Sequence, residues 1–353
     1  MSDSNKPHPH LLKLRDEIID LDQEIIKLLE DRLDVARKVG EFKFAHGLNL
    51  THPKREQEVV ERLKSKADDP FLKNYVDQIY ESIFTLSKKV QVQIIASKNQ
   101  EKLPPCKIGI IGYGHFGQML CKTFKNFWPS AQVLVNTLGE SGEGFHSLEE
   151  VGSCDYVFPA VPIGNLKACL TSLVEFVSSK TTVIDVCSVK VLPARWMEEI
   201  LSSRCNYIAS HPMFGPESTS HGKEFTDLNL MVSNLNAPAQ KYDRFKGFFS
   251  NLGVNIVEIT PEEHDRYAAY TINYNHLIGR IGERVGIAPT CIDTKGFRVI
   301  YHALQYVTHD TWDLFVQMQS YNPYASQMRQ KVFDSLSSIL TELKSHGLDG
   351  EDQ

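Results

Sequence analysis

The run Gly112-x-Gly114-x-x-Gly117 limits this chain more than any other feature, because an apolar run ending at Ile111 leads into it and a helical pattern follows. Each glycine has its own physical role. The first lets the chain turn tightly, the second lets backbone approach a pyrophosphate, and the third lets helix pack on strand. The phosphates then meet free N–H groups at a helix N-terminus. Gly112, Tyr113, Gly114, His115, Phe116 and Gly117 are therefore the expected dinucleotide-binding turn. It opens about a third of the way along 353 residues, and everything ahead of it reads as helix, so two functional parts are expected in one chain.

That helical part starts with one long helix. Leu11, Leu14, Ile18, Leu21, Ile25, Leu28, Arg32, Val35, Val39 and Phe42 alternate spacings of three and four without a slip, the pattern of a coiled-coil seam. Arg32 interrupts the apolar stripe, and a guanidinium buried there costs several kcal/mol unless something anionic meets it (on the order of 3–5). Lys43 lies about 20° around the helix from Arg32 and shares its face, whereas Arg15 lies about 100° away and must serve another surface. A second, shorter helix is expected from His52-Pro53-Lys54-Arg55-Glu56. A third is expected after Asp68-Asp69-Pro70, running to about Gln93 with Ser87 and Gln91 one turn apart. From periodicity alone, a charged helical hairpin used for dimerisation, with Arg32 snorkelling out of the seam, serves as well as a binding site.

Residues 10 to 93, LLKLRDEIIDLDQEIIKLLEDRLDVARKVGEFK followed by PKREQEVVERL, resemble the all-helical chorismate mutase family. The resemblance implies an intertwined dimer whose active site holds Arg15 from the second chain with Arg32, Lys43, Arg55, Glu56, Ser87 and Gln91. His52 departs from an acidic residue that some members carry. Chorismate is a dianion that rearranges to prephenate in a pericyclic step, so this chemistry needs cations for two carboxylates and donors for the breaking ether oxygen. The arginines would grip the carboxylates. Lys43 and Gln91 would serve the ether oxygen.

Residues 94 to 106 turn polar and contain Pro104-Pro105, as a linker would. Beyond them, apolar runs at 133–135, 156–159, 182–186 and 207–210 alternate with helical stretches, which predicts a doubly wound sheet over 107–260. The second strand ends in Asn136-Thr137, without the acidic residue that binds a ribose 2′-hydroxyl, so the cofactor stays open between NAD and NADP with a lean to NADP. From Thr260-Pro261-Glu262-Glu263, which carries an N-cap, an N1 proline and a capping-box glutamate, a helical domain is expected over 261–345.

Two motifs follow strands: Asp185-Val186-Cys187-Ser188-Val189-Lys190 and His211-Pro212-Met213-Phe214-Gly215-Pro216-Glu217-Ser218. With the glycine turn they resemble prephenate and arogenate dehydrogenases over about residues 106 to 340. The resemblance implies an oxidative decarboxylation in which His211 takes the ring-hydroxyl proton and Ser188 orients it, with His211 titrating in the histidine range. His276 falls on a substrate-contacting histidine, whereas His264 is expected to be a solvated helix residue. CIDTKGFRVI and VTHDTWDLF resemble the plant-type arogenate enzymes and put Thr294 and Asp310 at substrate positions. Arg298 instead matches a substrate arginine of bacterial prephenate enzymes, with a surface ion pair as the competing assignment. Ile272 stands where a polar residue is common.

The expected architecture is thus an all-α, three-helix N-terminal domain fused to an α/β Rossmann domain and a helical C-terminal dimerisation domain. The expected function is tyrosine biosynthesis on small-molecule substrates: chorismate, then prephenate or arogenate. Two rivals remain, an inactive dimerisation or effector-sensing N-terminal module and a dehydrogenase of another hydroxy acid. A net charge of −6 offers no footprint for nucleic acid. No stretch suggests a membrane span, and the cysteines show no CxxC pair, so reduced cytoplasmic thiols and no metal are expected, while the resemblances imply a homodimer.

Overall fold

The computed structural model describes residues 8–46, 48, 53–99, 103–137, 144–220, 224–308 and 310–346. His52 and Gly47, which bear on the expected helix break, lie outside these residues. The chain divides into two compact units.

The first unit draws on residues 1–103, 224–228 and 248–255. Its helices are α1 (Pro9–Ala45), α2 (Pro53–Lys66), the single turn α3 (Pro70–Lys73) and α4 (Val76–Asn99). At 37 residues α1 is roughly 55 Å long. Ala36 and Gly40, one turn apart, are buried and let α4 come close: a Cβ at Gly40 would stand 3.1 Å from Gln91. Asp69 accepts a hydrogen bond from the Phe71 N–H at 2.8 Å and starts α3, so the expected third helix is preceded by a separate turn. It also runs past Gln93 to Asn99, shortening the expected linker. The cause is burial of Val92 and Ile95 on one face, packed against Phe44. The expected seam of α1 is left bare by this single chain, with Ile18 57%, Leu21 59% and Leu28 68% exposed.

The second unit draws on residues 104–223, 229–247 and 256–353 and is built on a seven-stranded sheet in the order β2-β1-β3-β4-β5-β6-β7. The strands are β1 (Cys106–Ile111), β2 (Ala131–Asn136), β3 (Tyr156–Pro159), β4 (Thr182–Asp185), β5 (Asn206–Pro212), β6 (Asn229–Asn234) and β7 (Asn255–Glu258). The pairs β1–β2, β1–β3, β3–β4 and β4–β5 are parallel, and β6 is antiparallel to β5. Strands β6 and β7 were not expected from the sequence. The helices α5 (His115–Phe127), α6 (Leu148–Gly152), α7 (Ile163–Leu173), α8 (Val191–Leu201) and α9 (Ala239–Asn251) connect the strands. Leu166, Leu170 and Leu173 of α7 and Met197 and Leu201 of α8 are fully buried with Val183 of β4, which sets one apolar layer against the sheet.

The chain leaves β1 for β2 and returns across it to β3, so the sheet has its switch point between β1 and β3, where such folds bind ligands. After β7 come α10 (Pro261–Ala268), a π-helical turn (Ala269–Asn273), α11 (Tyr274–Val285), α12 (Lys295–Thr308), α13 (Trp312–Tyr321) and α14 (Ala325–Ser345). The expected capping box is formed: Glu263 N–H donates to Thr260 Oγ1 at 3.2 Å, and Thr260 N–H to Glu263 at 3.0 Å. Among the described residues no helix is long and apolar enough to cross a membrane, and no group of three His, Cys, Asp or Glu is placed to hold a metal ion. All seven cysteines are unpaired.

Candidate active sites

At the switch point the three glycines have distinct surroundings. Gly112 has φ of 101°, and a Cβ there would lie 2.3 Å from the Ala160 carbonyl oxygen. Gly117 is equally closed, with 2.1 Å to the Gly112 oxygen, which lets α5 start directly on the turn. Around Gly114 nothing stands within 4 Å. Gly114 is also the N-cap of α5 and has no side chain to satisfy the first N–H groups. An open cradle facing free donors suits a pyrophosphate, so the residues present fit a dinucleotide. Tyr113 and His115 are exposed and Phe116 half-buried beside it. Asn136 donates its amide to the His146 carbonyl at 2.8 Å, so this side chain is already engaged within the protein. Thr137 closes the described part of that loop.

His211 sits near the carboxyl end of β5, in register with Met231 of β6. It is buried, and its Nδ1 is 2.8 Å from Nε2 of His264 on α10. His264 is 1% exposed, which overturns its expected place in solvent. Its Nδ1 lies 2.9 Å from Asp265 Oδ1. The Asp265 carboxylate also accepts the N–H groups of Lys190 at 2.7 Å and Val191 at 2.8 Å, which fixes α10 against the start of α8. Below it, fully buried Lys190 pairs with Asp185 and donates to the Ser210 carbonyl. Burial, then His264 and Lys190, push the His211 pKa well below its ordinary value. Burial also lowers that of His264, against its hydrogen bond to the Asp265 carboxylate, which raises it. The expected titration of His211 in the histidine range is therefore corrected downward. Ser188 is half-buried, and among the described residues no hydrogen bond joins it to His211, whose ring is held by His264 instead.

On α11, His276 is buried and its Nε2 faces Asp310 at 3.6 Å. Buried Arg280, one turn on, donates to Glu283 at 3.0 Å and to the Asp310 carbonyl, and stacks 5.8 Å from the Trp312 ring centre. His276 Nδ1 and Arg280 Nε are buried without a partner among the described residues. Arg280 was not singled out from the sequence. Thr294 caps α12, its Oγ1 accepting the Phe297 N–H at 3.1 Å, and Arg298 on the same helix is exposed. The competing surface ion pair for Arg298 does not form among the described residues.

In the first unit Arg32 donates to Ser87 Oγ and lies 5.7 Å from the Phe84 ring centre, so the seam cation turns towards α4 rather than snorkelling. One turn further, Gln91 is buried with its amide oxygen unpartnered among the described residues. A 180° flip of that amide presents its NH2 at the same position. Lys43 is half-buried: burial lowers its pKa, Glu56 opposes this and Lys88 adds to it. Lys88 joins Glu56 at 3.1 Å and Asp227 at 2.8 Å, a cation that sequence reasoning missed. Arg15 is exposed, and Arg55 turns out to Glu58 at 3.2 Å, so neither joins this cluster within one chain.

A sheet of five parallel strands with one antiparallel to them, and a glycine cradle at its switch point, has the architecture of a dinucleotide-binding fold, here in a chain with a separate helical unit that holds a cationic cluster. Residues 14–92 match the chorismate mutase type II family, residues 129–244 the prephenate dehydrogenase nucleotide-binding domain, and residues 281–352 the TYRAAT1-like C-terminal domain. The chorismate mutase match thus falls on the helical unit, and the prephenate dehydrogenase match spans strands β2 to β6 of the sheet. It is 28% identical to arogenate dehydrogenase 2, chloroplastic, of Arabidopsis thaliana over 67% of this chain and 70% of that one. It is 25% identical to the T-protein of Enterobacter agglomerans over 76% and 68%. The crystal structure of prephenate dehydrogenase from Aquifex aeolicus with hydroxyphenyl propionate and NAD+ shares the fold, with a TM-score of 0.53 at 16% identity, covering 70% of this chain and 94% of that one.

Proposed function

We propose that the chain catalyses two steps of tyrosine biosynthesis: chorismate to prephenate on the helical unit, and NADP-dependent oxidative decarboxylation of arogenate on the sheet unit. The observation that carries this is that each unit holds its own polar cluster, half-buried Arg32 and Lys43 with buried Ser87 and Gln91 in one, and the buried His211–His264 pair in the other. The match to a chorismate mutase family weighs against an inert dimerisation or sensing module.

In the mutase step one C–O bond breaks as one C–C bond forms, so no base or nucleophile is needed. Arg32 binds a carboxylate, and Lys43 and Gln91 donate to the ether oxygen as it gains charge. Arg15 of a second copy supplies a further cation, and Arg55 joins it on the open side. The bare seam of α1 supports a homodimer, because a helix of this length with one uncovered apolar stripe needs a partner.

In the dehydrogenase step His211 Nε2 accepts the ring-hydroxyl proton while Ser188 holds that hydroxyl. The bound nicotinamide supplies the hydride acceptor. The carbon that loses hydride becomes a carbonyl, departure of the ring carboxylate as carbon dioxide leaves the electron pair that makes the ring aromatic, and the resulting phenolate oxygen takes a proton back. Gly112, Gly114 and Gly117 with Tyr113, His115 and Phe116 hold the pyrophosphate. Neutral Asn136 and Thr137 at the end of β2 accept a 2′-phosphate more readily than a carboxylate there would. His276, Thr294, Arg298 and Asp310 bind the substrate side chain. The arogenate preference rests on Asp310, which pairs with an ammonium and repels a keto acid, and has support from the Arabidopsis relative.

The test is to give the full chain chorismate alone, and then prephenate or arogenate with NADP or NAD, following substrate loss and nicotinamide reduction. Unconsumed chorismate would restore the inert-module reading. Absence of reduction with both dehydrogenase substrates would indicate another hydroxy acid.

A further inference from the structure

We infer that His264 is a positioning residue for dehydrogenation, which holds His211 in the tautomer that leaves its Nε2 lone pair free to take the substrate proton. This rests on the proposed role of His211 as the base.

Asp265 sets the direction of every hydrogen bond in the chain. Its two oxygens accept backbone N–H groups from Lys190 and Val191, and a backbone N–H can only donate. A carboxylate held this way is an acceptor, so His264 Nδ1, 2.9 Å from Oδ1, carries the hydrogen. Burial keeps His264 neutral at neutral pH, and a neutral imidazole with Nδ1–H has its lone pair on Nε2. That lone pair faces His211 Nδ1 at 2.8 Å, which must then be the donor. The His211 proton sits on Nδ1, and Nε2 is left as the base. The reverse arrangement would turn a His264 lone pair on to the Asp265 carboxylate, in a site where both groups are buried.

The same chain accommodates the reaction. When His211 takes the substrate proton on Nε2, its Nδ1–H stays bonded to His264, so no ring rotation is needed. The other charged groups facing the pair are Lys190 and Asp185, which are bonded to each other. The Asp265 carbonyl also accepts the Asn322 amide at 2.8 Å, which ties this turn of α10 to the α13–α14 junction. The geometry is thus over-determined from three elements, as a pre-organised site requires.

The test uses full-length protein labelled with 15N-histidine, with the His211 signals assigned by their loss in His211→Asn. Wild type should show the Nδ1–H tautomer. His264→Phe should lose it and lower dehydrogenase kcat about ten- to a hundredfold with cofactor affinity unchanged. His264→Gln, whose amide oxygen can accept from Nδ1–H, should restore both to within a few fold. A merely structural histidine would not make tautomer and rate recover together in the glutamine variant. An Nε2–H tautomer in wild type, or unchanged tautomer and kcat in His264→Phe, would overturn the inference. If His264→Phe does not fold, the wild-type spectrum and the glutamine variant decide it by the same criteria. A wild type with the Nδ1–H tautomer that oxidises neither substrate would overturn the dehydrogenase reading instead, and the tautomer assignment would stand.

Discussion

His276 Nε2 stands 3.6 Å from an Asp310 carboxylate oxygen, with the imidazole 8% exposed and the carboxylate 42% exposed. Burial lowers the His276 pKa, Asp310 raises it and Arg280 lowers it, and the net direction is down. At neutral pH the ring is therefore mostly neutral, and the Asp310 charge remains available to a substrate cation. Arogenate carries such a cation and prephenate does not. Because Asp310 is substantially open to solvent, screening limits the pair to about 1 kcal/mol, or about fivefold. Asp310→Asn should lower kcat/KM for arogenate by about that factor while leaving prephenate unchanged or improved. Wild-type preference for prephenate, or the same preference in the variant, would remove Asp310 from substrate selection.

Arg32 is the seam cation whose guanidinium meets Ser87 on α4. Removing it takes away a carboxylate ligand and leaves Ser87 and Gln91 without their charged neighbour. Arg32→Ala should reduce chorismate turnover by about a hundredfold or more, with dehydrogenase activity on supplied substrate near normal. The check is the two assays on one preparation. Near-normal mutase turnover would point to a dimerisation role.

The pH dependence follows from the direction of the His211 shift. The active form is neutral, and burial disfavours the imidazolium, so protonation is deferred to pH values well below the ordinary 6.5. In dehydrogenase kcat/KM, which reports the free enzyme, the rate should be level from about pH 6.5 upward as far as His211 is concerned, falling only on the acid side of that value. His211→Asn should abolish that acid limb with most of the activity while retaining cofactor binding. A limb centred at or above 6.5 would mean that another group controls the rate.

The glycine turn and the strand-end motifs were legible because they are contiguous: a tight turn and a buried strand end are written in neighbouring residues. His264 was misread for the opposite reason, since its partner His211 is 53 residues away. A local signal did exist. Pro261, His264, Asp265 and Ala268 are all buried on α10, and their spacing of three, one and three marks a core-facing stripe despite its polar residues. Lys88 was missed because its partner Asp227 lies 139 residues on, beyond any periodicity. Strands β6 and β7 escaped notice because short runs in polar surroundings gain their pairing from β5 and the sheet edge rather than from local preference. The overlong α4 shows the converse, with Ile95 burial extending a helix into a stretch that reads as linker.

The fold uses two of the three glycines at the switch point for itself and leaves the third to a ligand. A Cβ at Gly117 would stand 2.1 Å from the Gly112 oxygen, and Gly112 has φ of 101°, so alanine at either position forces backbone to move. Gly114 has φ of −66°, which alanine adopts freely, and its Cβ would meet nothing within 4 Å. Gly114→Ala should therefore leave the thermal unfolding midpoint within about 1 °C of wild type, because neither strain nor overpacking is introduced. The added methyl would occupy the space in which backbone N–H groups meet the pyrophosphate, so dinucleotide Kd should rise about tenfold or more, as for the loss of about 1.4 kcal/mol. Gly117→Ala should instead lower the midpoint by several degrees (roughly 1–3 kcal/mol). Calorimetry and cofactor titration on the two variants separate these effects, and unchanged dinucleotide affinity in Gly114→Ala would place the pyrophosphate elsewhere.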